Sequence, residues 1–195
     1  MIQTKAVRTA FASIAFAFCA TASQAQSYTD PATGLAVIDP PPPFAASAHA
    51  MDEAERRLYA AIIDIDSTTG EPKSGNVDGR LCGAYFIKPP PGSIFTREEL
   101  DRQFSDPDWL ARQRTAFERM GTISPFTIFR QQGHAGIELT AVANIGPGAG
   151  TSVIYSALLD TQKGRTSLVC VTTKDEIEKV LPLFRALRAS IRAPE

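Results

Sequence analysis

The chain has 195 residues, of which 20 are Lys or Arg and 21 are Asp or Glu, so its formal net charge is −1. This balance excludes the strongly basic surface typical of nucleic-acid-binding proteins, and the length corresponds to one ordinary domain. After residue 25, no apolar stretch approaches the roughly 18 residues that a membrane-spanning helix needs, so we expect no transmembrane anchor there.

Residues 1–25 have the pattern of an export signal. Lys5 and Arg8 provide the positive charge that precedes the apolar part of such a signal. The apolar run that follows, over residues 10–22, is too short to cross a bilayer. This combination predicts a signal peptide rather than a membrane anchor.

The end of this segment predicts where the chain is cut. Residues 23–25 read Ser-Gln-Ala and provide the small residues of a cleavage site, so we expect cleavage between Ala25 and Gln26. A single globular domain then covers residues 26–195. The mature protein is expected to be periplasmic or secreted, where disulfide bonds persist.

The three cysteines have different expected roles. Cys19 lies inside the export signal and follows Phe18, whereas a lipid-attachment cysteine needs a small residue before it. Cys82 and Cys170 remain, and two cysteines in an oxidising compartment have only one pairing. We therefore predict a disulfide between Cys82 and Cys170, with two buried thiols as the alternative.

The first part of the domain is predicted to be mostly extended. Residues 34–38 form a short apolar strand, which four prolines at 40–43 end in a rigid turn. Residues 52–57 are helix-like in composition, yet the alternation that follows favours a strand from about Arg57 to residue 66.

Residues 67–88 are predicted to form a loop and then a strand. Three glycines and a proline between Ser67 and Gly79 exclude regular structure. The segment from Leu81 to Lys88 contains Cys82 and has the composition of a strand, which ends at a second proline run.

Two helices are predicted next. Thr96 and Glu99 form a capping box, in which each side chain bonds a backbone amide at the helix start. Asp106 and Pro107 start a second helix, which ends at Gly121. The apolar stripe of this second helix consists of Leu110, Phe117 and Met120.

Four strands are predicted after the helices, over residues 126–131, 136–145, 151–160 and 166–172. Short loops separate them, so consecutive strands should pair as hairpins in an antiparallel meander. The loop from Gly146 to Gly150 has the composition of a phosphate-binding loop, but a strand follows it where such a loop needs a helix. We therefore predict a hairpin loop.

A helix is predicted at the end of the chain. Thr173 and Glu176 form a second capping box, and apolar residues recur at helical spacing as far as Ile191. Because Pro182 removes one backbone hydrogen bond, we expect a short turn and then a main helix from Pro182 to Ile191. The side opposite the apolar stripe is interpreted as a solvated face and carries Arg185, Arg188 and Arg192.

This order of strands, two helices, meander and terminal helix resembles the PsbP-like family, which includes small exported bacterial proteins of the DcrB type. The resemblance also rests on residues 34–44 and 184–191. It implies an α+β fold, in which helices flank an antiparallel β-sheet as an α/β/α sandwich. It also implies a protein that binds or stabilises other proteins, and it transfers no catalytic residue to this chain.

Two functions remain open. The first is an exported, non-catalytic binding or accessory module that needs no cofactor or metal. It would contact a protein or a cell-envelope component, and not nucleic acid, through residues 67–79 and 146–150 or through one sheet face. The second is an envelope hydrolase or transferase, in which an apolar pocket gathers dispersed polar residues. The polar residues of that site would be Arg130, His134, Glu138 and Asp160.

Overall fold

The structure is a computed structural model that describes residues 26–119, 121–146 and 148–195. The predicted export signal and Met120 lie outside the described residues. Within those ranges the chain forms a seven-stranded sheet, a three-stranded sheet and four α-helices.

Ten strands are present in the described ranges, and their bounds follow in chain order. They are β1 (Tyr28–Thr29), β2 (Ala36–Val37), β3 (Phe44–Ala48), β4 (Ala61–Ser67), β5 (Cys82–Ile87), β6 (Gly121–Gln131), β7 (His134–Ala143), β8 (Ser152–Thr161), β9 (Gly164–Thr173) and β10 (Ile191–Arg192). The helices are α1 (Glu53–Leu58), α2 (Arg97–Gln103), α3 (Pro107–Glu118) and α4 (Ile177–Ser190).

The larger sheet has the order β3-β4-β5-β9-β8-β7-β6, and every neighbouring pair is antiparallel. Strands β6 to β9 pair consecutively, which confirms the predicted meander. The smaller sheet, β1-β2-β10, joins the start of the domain to the residues that follow α4.

Helices cover both faces of the larger sheet. On one face, Phe184 and Leu187 of α4 pack in a core with Tyr155, Ala157 and Leu168. On the other face, alternate residues of β7 pack in a second core with Phe104 and Trp109 of the α2 and α3 region, and these β7 residues are Ile137, Leu139 and Ala141. Because side chains alternate along a strand, β7 contributes to both layers. The predicted α+β sandwich is confirmed.

The predicted disulfide joins β5 to β9. Cys82 and Cys170 stand directly opposite each other in the two strands, with their Cα atoms 4.0 Å apart, and both are buried in the core below α4. The link therefore connects the first half of the sheet to the meander.

The prediction for the segment around residue 57 was wrong. Helix α1 continues to Leu58, and β4 begins only at Ala61. The helix begins at its own capping box, in which Asp52 and Glu55 each bond the other residue's backbone amide. The three-residue spacing of Asp52 and Glu55 is present in the sequence, but the prediction followed the strand-like alternation that comes after the helix.

Strand β6 is longer than predicted, because it begins at Gly121 rather than at residue 126. Pro125 lies inside it, next to a register shift between Ile123 and Phe126. A proline is tolerated here because β6 is an edge strand, and one side of its backbone has no neighbouring strand to which it must hydrogen-bond.

The second predicted capping box is absent from the described structure. Thr173 stays in β9, paired with Ser152 of β8, and the N-cap Glu176 makes no side-chain capping bond. The helix is also continuous across Pro182. Burial of Val180 before the proline and Phe184 after it holds both halves against the sheet.

Candidate functional site

The two loops that the sequence analysis named as candidate contact segments, residues 67–79 and 146–150, lie together at one end of the sheet. The parts that come together are residues 72–79, between β4 and β5, and the described residues 144–146 and 148–151, between β7 and β8; we call them the two-loop surface. The second segment is the predicted hairpin loop, since β7 and β8 pair directly on either side of it.

Hydrogen bonds to backbone atoms hold the first loop of this surface in place. The Ser152 hydroxyl at the start of β8 donates to the Gly75 carbonyl at 2.9 Å. The Gly75 amide donates to the carbonyl of Val171 in β9 at 2.9 Å, and the Thr172 hydroxyl donates to the Lys73 carbonyl at 3.1 Å. The two central strands of the sheet therefore position this loop beside the other one.

Two glycines allow this close approach. A Cβ atom on Gly75 would lie 2.4 Å from the Thr172 carbonyl oxygen, and one on Gly148 would lie 2.1 Å from the Ser152 hydroxyl. The first contact is with backbone, which cannot rotate away. Any residue larger than glycine at position 75 would therefore collide with the Thr172 carbonyl.

The two-loop surface exposes an apolar side chain from each loop. Val77 is 79% exposed and Ile145 is 67% exposed. Exposed apolar surface is typical of contact sites for a partner, and the loops that carry these two side chains are joined through Ser152 and Gly75. Around them, Lys73 and Asp78 provide one charge of each sign, so the surface has no strong charge preference.

The four residues nominated for an enzyme site do not come together. Glu138 faces α4, whereas Asp160 lies on the opposite face of the sheet and pairs with Arg165. Arg130 is exposed on β6, with its guanidinium 3.7 Å from Asp101, and the His134 ring lies 4.0 Å from the Glu195 carboxylate. Each of the four side chains therefore contacts different neighbours, and the fold does not gather them into one site.

Glu138 is the centre of a buried polar network below α4. Its Oε1 accepts hydrogen bonds from Arg185, whose Nη2 lies at 2.8 Å, and its Oε2 accepts from Arg188 and from the Tyr155 hydroxyl. Burial is the main reason that the pKa of Tyr155 is raised well above its ordinary value, so this hydroxyl stays a donor. The Arg188 guanidinium also stacks on the Phe129 ring, 4.1 Å from its centroid.

The interpretation of the α4 arginines as a solvated face was therefore wrong for Arg188, and it missed the ion pair that the exposed Arg185 makes. Arg188 is only 20% exposed and Arg185 is 43% exposed, and both bind the 8% exposed Glu138 carboxylate. The helical pattern could not reveal this, because their partner lies on β7.

A second polar cluster, which the sequence did not indicate, fastens α1 to the sheet. The His49 ring bonds Asp64 of β4 through Nδ1 at 2.8 Å and Glu55 of α1 through Nε2 at 3.0 Å. Burial of the ring disfavours its charged form, but these two carboxylates outweigh burial and raise the pKa of His49. Arg80 lies 3.5 Å from the other Asp64 oxygen. We assign this cluster a structural role.

Over the described ranges, no group of three acidic, histidine or cysteine side chains is arranged to hold a metal ion. In the same residues, no helix has both the length and the apolar character to cross a bilayer.

Comparison with known proteins adds information on the fold. No protein-family model and no curated protein matches the chain. The chain is similar to the solution structure of cyanobacterial PsbP (CyanoP) from Synechocystis sp. PCC 6803, with a TM-score of 0.53 and 10% sequence identity. The fold is PsbP-like. The similarity covers 92% of this chain and 98% of the cyanobacterial one, so it extends over the whole sandwich. At this identity it establishes the fold alone.

Proposed function

We propose that this chain is an exported, non-catalytic accessory protein that binds a protein or cell-envelope component through the two-loop surface. The observation that carries the proposal is the pairing of residues 72–79 with residues 144–151. The hydroxyls of Ser152 and Thr172 donate to carbonyls of one loop and fix it, and each loop exposes an apolar side chain, Val77 or Ile145. A preordered surface loses little conformational entropy when it binds.

Export to the periplasm, or secretion, is part of the proposal. It is supported by the signal pattern of residues 1–25 and by the disulfide between Cys82 and Cys170, since such bonds persist in oxidising compartments. N-terminal sequencing of protein isolated from its native host should begin at Gln26. An intact Met1 terminus in the cytosolic fraction would contradict export while leaving the binding surface untested.

Site-specific crosslinking tests the surface. A photoreactive residue is placed at position 77, 145 or 58 in turn, and crosslinked products are collected from the native envelope. Leu58 is a matched control because it is also an exposed apolar side chain, at the end of α1. We expect the same product from positions 77 and 145 and none from position 58.

Charge substitution provides the second arm of this test. Val77→Asp combined with Ile145→Asp should abolish the crosslinked product, because burying a carboxylate at a contact is unfavourable. Leu58→Asp should leave the product unchanged. Equal yields from all three positions, or a product that survives the double substitution, would refute a contact at the two-loop surface.

A further inference from the structure

A cleft of about 300 Å³ opens between α2 and α3 on one side and the ends of β5, β8 and β9 on the other. We call it the Trp109 cleft. It lies at the opposite end of β8 and β9 from the two-loop surface, because Asp160 pairs with Arg165 at one end of these strands and Ser152 pairs with Thr173 at the other. The two sites are therefore separate.

The walls of the Trp109 cleft are mainly apolar. Trp109 projects from the first turn of α3 and packs edge-on against Phe104, with ring centroids 4.9 Å apart. This contact fixes the indole orientation. The other apolar side chains that line the cleft are Ile87, Pro89, Pro90, Phe95 and Leu100. Flat, rigid walls of this kind favour a ligand that carries an aromatic ring.

A cationic group is held at the bottom of the cleft. Arg165 makes a two-pronged ion pair with Asp160, in which Nε donates to Oδ1 at 2.7 Å and Nη2 donates to Oδ2 at 2.8 Å. The pair fixes the plane of the guanidinium. Among the described residues, the remaining nitrogen, Nη1, has no hydrogen-bond acceptor, and the Arg165 side chain is 36% exposed.

The charge of the lining favours an anion. The ionisable side chains that line the cleft are Lys88, Asp160 and Arg165, so two cations surround one carboxylate. The hydrogen bond to Asp160 raises the pKa of Arg165 further, and the guanidinium is charged at every physiological pH. A ligand carboxylate can accept from Nη1 without displacing Asp160, since Asp160 uses the other two nitrogens.

We propose that the Trp109 cleft binds a small aromatic carboxylate, whose ring packs against Trp109 and whose carboxylate accepts hydrogen bonds from Arg165. A volume of about 300 Å³ lies at the small end of ligand sites, so the ligand is a small molecule rather than a folded partner. This inference does not depend on the two-loop surface, and either one can fail alone.

The experiment uses the chain's single tryptophan as the reporter. The purified protein is titrated with 4-phenylbutyrate while Trp109 emission is recorded, and with 4-phenylbutanamide and 4-phenylbutylamine as neutral and cationic controls of the same size. We expect a saturable change with the carboxylate and at least tenfold weaker binding of both controls. No saturable change, or equal binding of the carboxylate and the amide, would overturn the proposal.

Substitution of the ion pair tests the role assigned to Arg165. Arg165→Gln alone would leave Asp160 without its partner, so the double variant Asp160→Asn, Arg165→Gln is used, which removes both charges and leaves polar side chains at the two positions. The dissociation constants of this double variant for the carboxylate and for the amide should differ by no more than twofold. The matched control, Arg114→Gln with Glu118→Gln, removes an exposed ion pair on α3 and should keep the tenfold preference.

Nuclear magnetic resonance keeps the proposal testable even if the double variant does not fold. In the wild-type protein, 4-phenylbutyrate should shift the signals of the Trp109 indole N–H and the Arg165 Nε–H, and the amide should shift the indole signal alone. Shifts confined to other residues would refute binding in this cleft, as would a carboxylate preference that survives in the folded double variant.

Discussion

Glu138 in the middle of β7 and Arg188 near the end of α4 form a buried ion pair across 50 residues of sequence. Arg185, one helical turn earlier, binds the other oxygen of the same carboxylate. A single strand residue thus binds two successive turns of α4. Apolar burial of Phe184 and Leu187 sets which side of the helix faces the sheet, and the ion pairs set its register.

Glu138→Gln should lower the free energy of unfolding by about 3 kcal/mol, because it leaves the half-buried Arg188 guanidinium without its partner. Arg185→Gln is the matched comparison and should cost about 1 kcal/mol or less, because the more exposed arginine is partly solvated. Urea denaturation of the three proteins measures both effects. Equal losses for the two variants would contradict the central role of the Glu138–Arg188 pair.

The disulfide should be closed in the isolated protein and should contribute to stability. With the cysteines 88 positions apart in the sequence, the chain-entropy model assigns the link about 4 kcal/mol, and the double variant Cys82→Ala, Cys170→Ala should lose stability on that scale. Mass spectrometry after alkylation, with and without prior reduction, counts the free thiols. Two alkylated cysteines in the unreduced protein would show that the bond is absent.

Stability should depend on pH through His49. Its pKa is raised in the folded state, so its stabilising contribution is complete below the ordinary pKa of about 6.5 and is lost as the pH rises through the raised value. The free energy of unfolding should therefore fall as the pH rises above about 6.5, and His49→Gln should flatten that part of the curve. If the free energy of unfolding falls with pH at the same slope in the wild type and in His49→Gln, His49 does not have this role.

Gly75→Ala should detach the first loop of the two-loop surface, because the added methyl group collides with the Thr172 carbonyl. The residue 75 amide, which donates to Val171, should lose its protection against hydrogen exchange. Gly79→Ala is the control: its φ of +78° makes alanine unfavourable by about 1 kcal/mol, but no atom lies within 4 Å of the added group. That variant should keep the residue 75 amide protected.

Much of the architecture was predictable from the sequence, because local patterns encode it. The capping box at Thr96 and Glu99 and the N-cap at Asp106 gave the starts of α2 and α3 correctly. The short glycine-containing loops predicted the meander. Its strands β7, β8 and β9 begin and end within two residues of their predicted positions. The errors arose where two local signals competed, as at residue 57 and at Pro182.

The candidate sites were harder to predict, because each depends on which strands become neighbours. The sequence named residues 67–79 and 146–150 as candidate contact loops, but only the pairing of β5 with β9 and of β9 with β8 places them side by side. The Trp109 cleft has no signature in the sequence at all, since Trp109 and Arg165 come from different layers of the sandwich.

By itself, the sequence predicted the antiparallel meander, the disulfide pairing and the one buried face of β7 that carries Ile137, Leu139 and Ala141, since these follow from composition, spacing and periodicity. The sandwich fold class followed from the resemblance to the PsbP-like family. Only the tertiary structure decided the roles of the polar side chains. A charged residue on a helix or strand has the same local pattern whether it faces solvent or a buried partner. Glu138 and Arg188 became an ion pair because the fold brings their elements together, and this depends on contacts distant in the chain.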